Sequence, residues 1–274
     1  MQLHDRVAVV TGAARGIGFA LAEAFLAEGA RHVAVVDLSP AEVDDAVRRL
    51  GTRAHGFTLD VSDASALAEL VTAVEDAYGP IDLFVSNAGI GTGAGIDADE
   101  ATWDRIWRVN VLAHVHAARA VLPSMLARGE GYLLSTASAA GLLTQIGDLP
   151  YSVTKHAAVS VAEWLAITYG DRGITVSCLC PQGVRTDLLA TGMGLASAET
   201  VVAQGLIEPA EVAAATVAGL AAEEFLILPH PEVAEYYQRR AADTDRWLVG
   251  MRRLQARIVG ALDQASPGAG PGSP

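Results

Sequence analysis

The sequence predicts an α/β fold, a single doubly wound parallel sheet followed by a C-terminal helical extension. Short β-branched runs alternate with amphipathic stretches through most of the 274 residues. Several of the runs are continuously apolar, as strands become when helices cover both faces of a parallel sheet. A chain of this length can bury roughly three quarters of its unfolded surface in one core, so a single large domain is expected.

In chain order, Val7–Thr11, His32–Val36, His55–Leu59, Ile81–Ser86, Gly131–Thr136, Thr175–Leu179 and Phe225–Leu228 read as strands. Helical periodicity falls between them at 17–28, 40–50, 63–78, 100–127, 152–170 and 208–222. Such alternation predicts right-handed crossovers between parallel strands. Cys178 and Cys180 flank Leu179 on a buried-type strand and read as small core residues. Residues 230–262 hold six Arg and four acidic residues, a net of +2 that leaves −15 on the remainder. There Trp247, Met251, Leu254 and Ile258 share one helix face, which is expected to pack on its own domain. The domain is read as 1–262, and the tail 263–274 as disordered, being Ser/Gly/Pro-rich from Ser266.

Composition excludes several functions. With 51% apolar and 19% charged residues the chain is globular. A formal charge of −13 opposes general binding to nucleic acid or anionic membranes. No apolar run reaches the ~18 residues that span a bilayer, and Met1–Arg6 lacks the apolar region of a signal peptide. Two closely spaced cysteines make no disulfide framework. A soluble, cytoplasmic protein is expected.

The segment Thr11-Gly12-Ala13-Ala14-Arg15-Gly16-Ile17-Gly18 joins the first strand to the first helix. Glycines allow a tight turn and close approach of a phosphate to the backbone, and the helix N-terminus favours its charge. In this strand–turn–helix context the segment points to a dinucleotide and a Rossmann-type sheet. Asp37, 19 residues after Gly18, stands at the end of the second strand, where a carboxylate can bind ribose hydroxyls. It would repel the extra phosphate of NADP: two unit charges 4 Å apart interact by about 4 kcal/mol at an effective dielectric near 20. Leu38 supplies no cation for that phosphate, whereas Arg15 is a contrary signal. Asp37 and Leu38 together predict NAD, with NADP second.

Tyr151-Ser-Val-Thr-Lys155 places a phenol and an ammonium one helical turn apart. A neighbouring cation favours phenolate, so Lys155 is expected to lower the Tyr151 pKa and make it a usable acid/base. Lys155 is the chain's single lysine beside 18 arginines. Ser138 ends a strand 13 residues before Tyr151, and Asn87-Ala88-Gly89 follows the fourth strand. His114 and His116, two apart on a helix, face different directions, and no metal site is expected.

With these motifs the chain resembles the short-chain dehydrogenase/reductase family in its classical form, from residue 6 to about 228. Gly12, Gly16, Gly18, Asp37, Asp60-Val61, Asn87-Ala88-Gly89, Asn110, Ser138, Tyr151, Lys155 and the segment Pro181–Thr186 carry the resemblance. It implies Tyr151 as general acid/base, Lys155 as pKa modifier and ribose ligand, Ser138 as substrate-oxygen partner, and Asn110 as holder of a water linked to Lys155. It implies adenine contacts at Asp60 and Val61, adenosine-side contacts at Asn87, Ala88 and Gly89, and nicotinamide contacts along Pro181, Gly183, Val184 and Thr186. Two departures stand out. The family's Pro-Gly is Pro181-Gln182-Gly183 here, and its paired asparagines are Ser86-Asn87.

The substrate region is expected in 139–149 and 188–206. Leu142, Leu143, Ile146, Leu149, Leu188, Leu189, Met193 and Leu195 make it apolar, suiting a hydrophobic secondary alcohol or ketone. Gln145 and Asp148 are candidates for polar selectivity, with a solvent-facing loop the plainer reading of each. The resemblance implies a homotetramer or homodimer. Two alternatives stand beside the NAD-dependent dehydrogenase. One is an NADP-dependent 3-oxoacyl-type reductase, whose acidic carrier Arg128 and Arg172 would meet against the opposing net charge. The other is a non-catalytic cofactor-binding regulator, which Ser138, Tyr151 and Lys155 argue against.

Overall fold

The computed structural model describes residues 1–188 and 205–265. Seven parallel strands form one sheet in the order β3-β2-β1-β4-β5-β6-β7. They are β1 (Val7–Thr11), β2 (His32–Asp37), β3 (Ala54–Thr58), β4 (Leu83–Ser86), β5 (Gly131–Thr136), β6 (Ile174–Leu179) and β7 (Leu226–Ile227). The helices are α1 (Gly16–Ala27), α2 (Pro40–Leu50), α3 (Ala64–Tyr78), α4 (Glu100–Trp107), α5 (Ala113–Arg128), α6 (Ala140–Leu143), α7 (Leu149–Tyr169), α8 (Pro209–Ala222), α9 (Glu232–Ala242) and α10 (Thr244–Ala265). No helix among the described residues is long and apolar enough to cross a membrane.

Strand alternation sorts the core into two layers. Val7, Val9, Ala34 and Val36 join the apolar cluster on one face, and Ala8, Val10, Val33 and Val35 join the other. The register sets Thr11 beside Val36, Ser86 beside Ser135, and Thr136 beside Leu179. The carboxyl ends of the central strands therefore lie in one row, and the loops that leave them meet at one edge.

Local signals set most boundaries. Ser39 caps α2 by accepting the Glu42 N–H at 3.5 Å, Pro40 opens it, and Gly51 follows it at φ +87°. Asp63 caps α3 and Asp99 caps α4 in the same way, both at 2.8 Å. Three features depart from the expected pattern. The stretch 100–127 is broken by a π-helical turn at Arg108–Leu112, centred on Asn110. The helix expected at 152–170 begins earlier, at Leu149, because Asp148 caps it and Pro150 suits its first turn. The extension holds two helices, and α10 continues to Ala265, past the boundary at 262. Its Trp247 packs beside Tyr236 with ring centroids 6.3 Å apart, and Ile258 is buried. Cys178 and Cys180 are both buried in the core, their sulfurs 3.8 Å apart.

His114 of α5 lies buried behind β5, its Nδ1 3.3 Å from Ser135 Oγ and its Nε2 without a partner among the described residues. Burial, aided by the nearby Lys155 charge, pushes its pKa down to about 3. The unfolded chain takes up this proton near pH 6.5 while the folded chain refuses it until about 3. Stability therefore falls as pH drops through that window, by up to about 1.4 kcal/mol per pH unit from this group. His114→Leu is expected to flatten the acid limb of urea-unfolding free energy between pH 6 and 4. An unchanged slope would refute the assignment.

Candidate active site

Where β1 and β4 lie side by side, the chain leaves the sheet in opposite directions, and a crevice opens at the carboxyl ends of the strands. This cleft of about 940 Å³ is lined by loops following β1 to β6 and by α4.

At the end formed by the glycine turn, Gly12 and Gly16 have φ of +62° and +56°, and a Cβ on Gly12 would stand 2.9 Å from Ala88 Cα. Only glycine meets both demands at that position. The residue preceding α1, Arg15, is extended and gives no side-chain cap, unlike the residues that open α2, α3 and α4. The amides at this helix end are thus left for a ligand. Asp37 accepts from the Ala14 N–H at 3.0 Å and from the Leu38 N–H at 2.8 Å, which fixes its carboxylate against the turn. Arg15 pairs with Glu42 at 3.2 Å and Asp187 at 3.5 Å.

Thr11 and Asn87 bridge the gap between the strands. The Thr11 hydroxyl donates to Val85 O and accepts from the Asn87 and Ala88 N–H groups at 2.9 and 3.1 Å. The Asn87 amide donates back to Thr11 O and Gly12 O, at 2.9 and 3.2 Å. It thereby closes on the turn, and its Nδ2 would also meet a Cβ at Gly18 at 2.7 Å.

At the other end, α7 presents Tyr151 and Lys155, both buried. Lys155 Nζ donates to Thr136 O at 3.0 Å and stands 5.7 Å from the Tyr151 ring centroid. Ser138 Oγ accepts from the Ala140 N–H at 3.1 Å and donates to Pro181 O at 3.4 Å. Burial pushes the phenol of Tyr151 up to about 12, against a hydrogen bond with Ser138 that favours its ionised form. Burial likewise pulls the Lys155 ammonium down to about 8. The expectation that Lys155 holds the phenol below its ordinary value is corrected here. Loss of water outweighs the Ser138 hydrogen bond, and the ammonium is directed to the Thr136 carbonyl.

Asn110 lies behind the cleft. Its Oδ1 accepts the Ile90 N–H at 2.9 Å, and its Nδ2 donates to Ile90 O at 2.9 Å and Thr154 Oγ1 at 3.2 Å. Gly89 fits between it and Lys155: a Cβ there would meet Lys155 Nζ at 3.2 Å and Asn110 Oδ1 at 3.4 Å. Asp148 is neither solvent-facing nor in the cleft. It is buried, and its carboxylate accepts from Tyr151 N (3.0 Å), Thr92 Oγ1 (2.7 Å), Thr92 N (2.8 Å) and Gly93 N (2.7 Å). One side chain thus caps α7 and pins the loop opposite Tyr151.

The cleft brings together Gly12, Arg15, Gly16, Ile17, Gly18, Asp37, Leu38, Asp60, Val61, Asn87, Ala88, Gly89, Ser138, Gln145, Tyr151, Lys155, Pro181, Val184, Thr186 and Leu188. Leu142, expected to touch substrate, is instead buried in the core with Leu143, because α6 turns both side chains inward. Gly183 lies off the lining, its carbonyl bonded to the Ile207 N–H at 3.0 Å. Met193, Leu189 and Leu195 lie outside the described residues. Reading the sequence missed Ile90, Thr92, Thr102, Arg105, Arg108 and Gln182 on the walls. For Asp148 a signal existed: an Asp two residues before a Pro is a helix N-cap pattern.

The sheet and its cleft define a class, the Rossmann-type oxidoreductases. Comparison narrows it: the profile of the short chain dehydrogenase family matches residues 6–193, and the chain belongs to that family. It is 38% identical over 197 residues to 2-(S)-hydroxypropyl-CoM dehydrogenase 3 of Xanthobacter autotrophicus, covering 70% of this chain and 75% of that protein. It is 34% identical over 183 residues to galactitol 2-dehydrogenase of Agrobacterium fabrum, covering 66% and 71%. A short chain dehydrogenase/reductase from Burkholderia phymatum, solved in complex with NAD, superposes with a TM-score of 0.83 at 29% identity, covering 89% of this chain and 96% of that one.

The Asp148 network carries a prediction. Hydrogen bonds to a charged acceptor contribute ~1.5–3 kcal/mol each, and orphaned buried N–H groups cost further. Asp148→Ala is expected to destabilise the fold by at least ~3 kcal/mol, read as a lower denaturation midpoint. A loss below ~1 kcal/mol would contradict it.

Proposed function

We propose that the chain is an NAD-dependent oxidoreductase that interconverts a hydrophobic secondary alcohol and its ketone, with Tyr151 as general acid/base. One observation carries this reading: Ser138, Tyr151 and Lys155 lie together in a cleft whose opposite end is formed by the glycine turn and Asp37. The residues fit the cofactor. The turn around Gly12 admits backbone approach but no side chain, the start of α1 is uncapped, and Asp37 is fixed against the turn, where it can meet ribose hydroxyls.

The nicotinamide, when bound, supplies or accepts the hydride. Tyr151 gives its phenolic proton to the ketone oxygen, or takes one from the alcohol. Its raised pKa keeps that proton in place at neutral pH, as ketone reduction requires. Ser138, hydrogen-bonded to the phenol, holds the same substrate oxygen. Lys155 spends one ammonium proton on Thr136 and has two left for ribose hydroxyls. Asn110 holds Ile90 and so keeps the loop after β4 beside Lys155.

Three features support NAD over NADP. Asp37 is anionic where a 2′-phosphate would sit, Leu38 is exposed and uncharged, and Arg15 is engaged by Glu42 and Asp187. Ile90, Ala139, Ala140 and Leu188 line the substrate end, with Gln145 for polar selectivity. The names of the two relatives, dehydrogenases of 2-(S)-hydroxypropyl-CoM and of galactitol, support an alcohol substrate. The setting proposed is cytoplasmic, as a homodimer or homotetramer, and the exposed Trp164 and Ile167 of α7 support self-association.

The test is NADH formation with a panel of hydrophobic secondary alcohols at mildly alkaline pH. Tyr151→Phe is expected to lose ~10²–10⁴-fold in kcat/KM. Lys155→Arg, which keeps the charge but not the shape, is expected to lose most activity. Near-normal turnover in either variant sinks the mechanism, and equal kcat/KM with NADP sinks the cofactor choice. A wild-type protein that binds NADH but oxidises nothing in the panel would favour the regulator.

A further inference from the structure

The loop leaving β6 departs from the family pattern in that Gln182 follows Pro181 and the glycine is displaced to 183. The backbone N–H and C=O groups of such a loop need partners inside a protein. The loop cannot be left slack, because Pro181, Gln182, Val184 and Thr186 all face the cleft.

Most of its bonds are made within the domain. Pro181 O accepts the Ala139 N–H at 2.8 Å, and Gly183 O accepts the Ile207 N–H at 3.0 Å. The Gln182 N–H is met by His230. Its Nδ1 accepts that N–H at 3.2 Å, and its Nε2 donates to Gly183 O at 3.0 Å. The ring is buried, and one tautomer, with the proton on Nε2, satisfies both bonds. A single imidazole therefore bridges the 181–182 and 183–184 peptide groups of this loop.

His230 stands off the cleft lining. It follows β7 and opens the C-terminal extension, whose Val233 N–H bonds back to its carbonyl at 3.1 Å. It also lies beyond residues 6–193, the span that the family profile matches. The clamp thus ties the loop after β6 to the C-terminal extension.

We propose that His230 is a positioning residue for the nicotinamide end of the cofactor site, acting through the Pro181–Gly183 loop. The proposal rests on the reading of the cleft as an NAD site. It assigns the start of the extension a role in cofactor affinity, separate from substrate binding or proton transfer.

Two full-length variants test it. His230→Phe keeps a ring of similar size and removes both hydrogen bonds, whereas His230→Asn retains one acceptor and one donor. Fluorescence titration gives Kd for NADH, steady-state kinetics give KM for NAD and for the alcohol, and a thermal melt reports folding. His230→Phe is expected to raise Kd and the KM for NAD about tenfold, the equivalent of about 1.4 kcal/mol. The KM for the alcohol should stay within about twofold, and His230→Asn should recover most of the lost affinity. Unchanged Kd in a folded His230→Phe protein overturns the proposal. So does a pair of variants that lose Tm and all kinetic parameters alike, since that marks a purely structural role. Wild-type protein that binds neither NADH nor NADPH overturns the cofactor reading itself, and the clamp with it.

Discussion

The crevice between β1 and β4 is made by chain direction, and it creates a problem that side chains must solve. Two neighbouring strands end there, their successors diverge, and the last peptide groups lose sheet partners. Thr11 and Asn87 meet that demand across the gap, each bonding to backbone of the other's strand or turn. The glycines follow from this closure. With Asn87 drawn onto Gly12 O, neither Gly12 nor Gly18 has room for a side chain. The geometry of the glycine turn is thus partly a by-product of satisfying buried backbone at the switch point.

The end holding Tyr151 and Lys155 rests on the opposite economy, polar groups held where water is scarce. Lys155 and Tyr151 are both buried and both displaced toward their neutral forms. Burying a charge is costly, so local structure is built to contain these groups. Gly89 and Gly141 leave space around Lys155, Asn110 holds the loop beside it, and Asp148 fixes the helix N-terminus from which Tyr151 projects. Asp148 is itself a buried carboxylate, tolerated because four donors surround it.

Much of this was readable in the sequence where one local rule acted alone. Apolar β-branched runs located the strands, and Val7–Thr11 and Gly131–Thr136 were bounded to the residue. The glycine turn, Asp37, Ser138, Tyr151 and Lys155 were each placed by spacing, and the fold brings them to one cleft. What escaped depended on tertiary partners. Leu142 looked like a pocket residue because its loop is apolar, yet α6 buries it. Asp148 looked exposed because its donors on Thr92 and Gly93 lie more than 50 residues away. The sign of the Tyr151 shift followed from partner charge only while burial was out of view. His230 carried no local pattern, since both of its partners are backbone groups 47 and 48 positions distant.

The solitary lysine also bears on how the chain meets a protease. A lysine-specific endoprotease has one peptide bond to recognise in all 274 residues, after Lys155, giving fragments of 155 and 119 residues. That bond lies inside α7 beside a buried side chain, with the Lys155 carbonyl packed against Gly141. Cleavage there must wait until the helix bearing Tyr151 opens. The yield of two fragments would therefore count openings of α7, with no label introduced and no other lysine in the chain to confuse the reading.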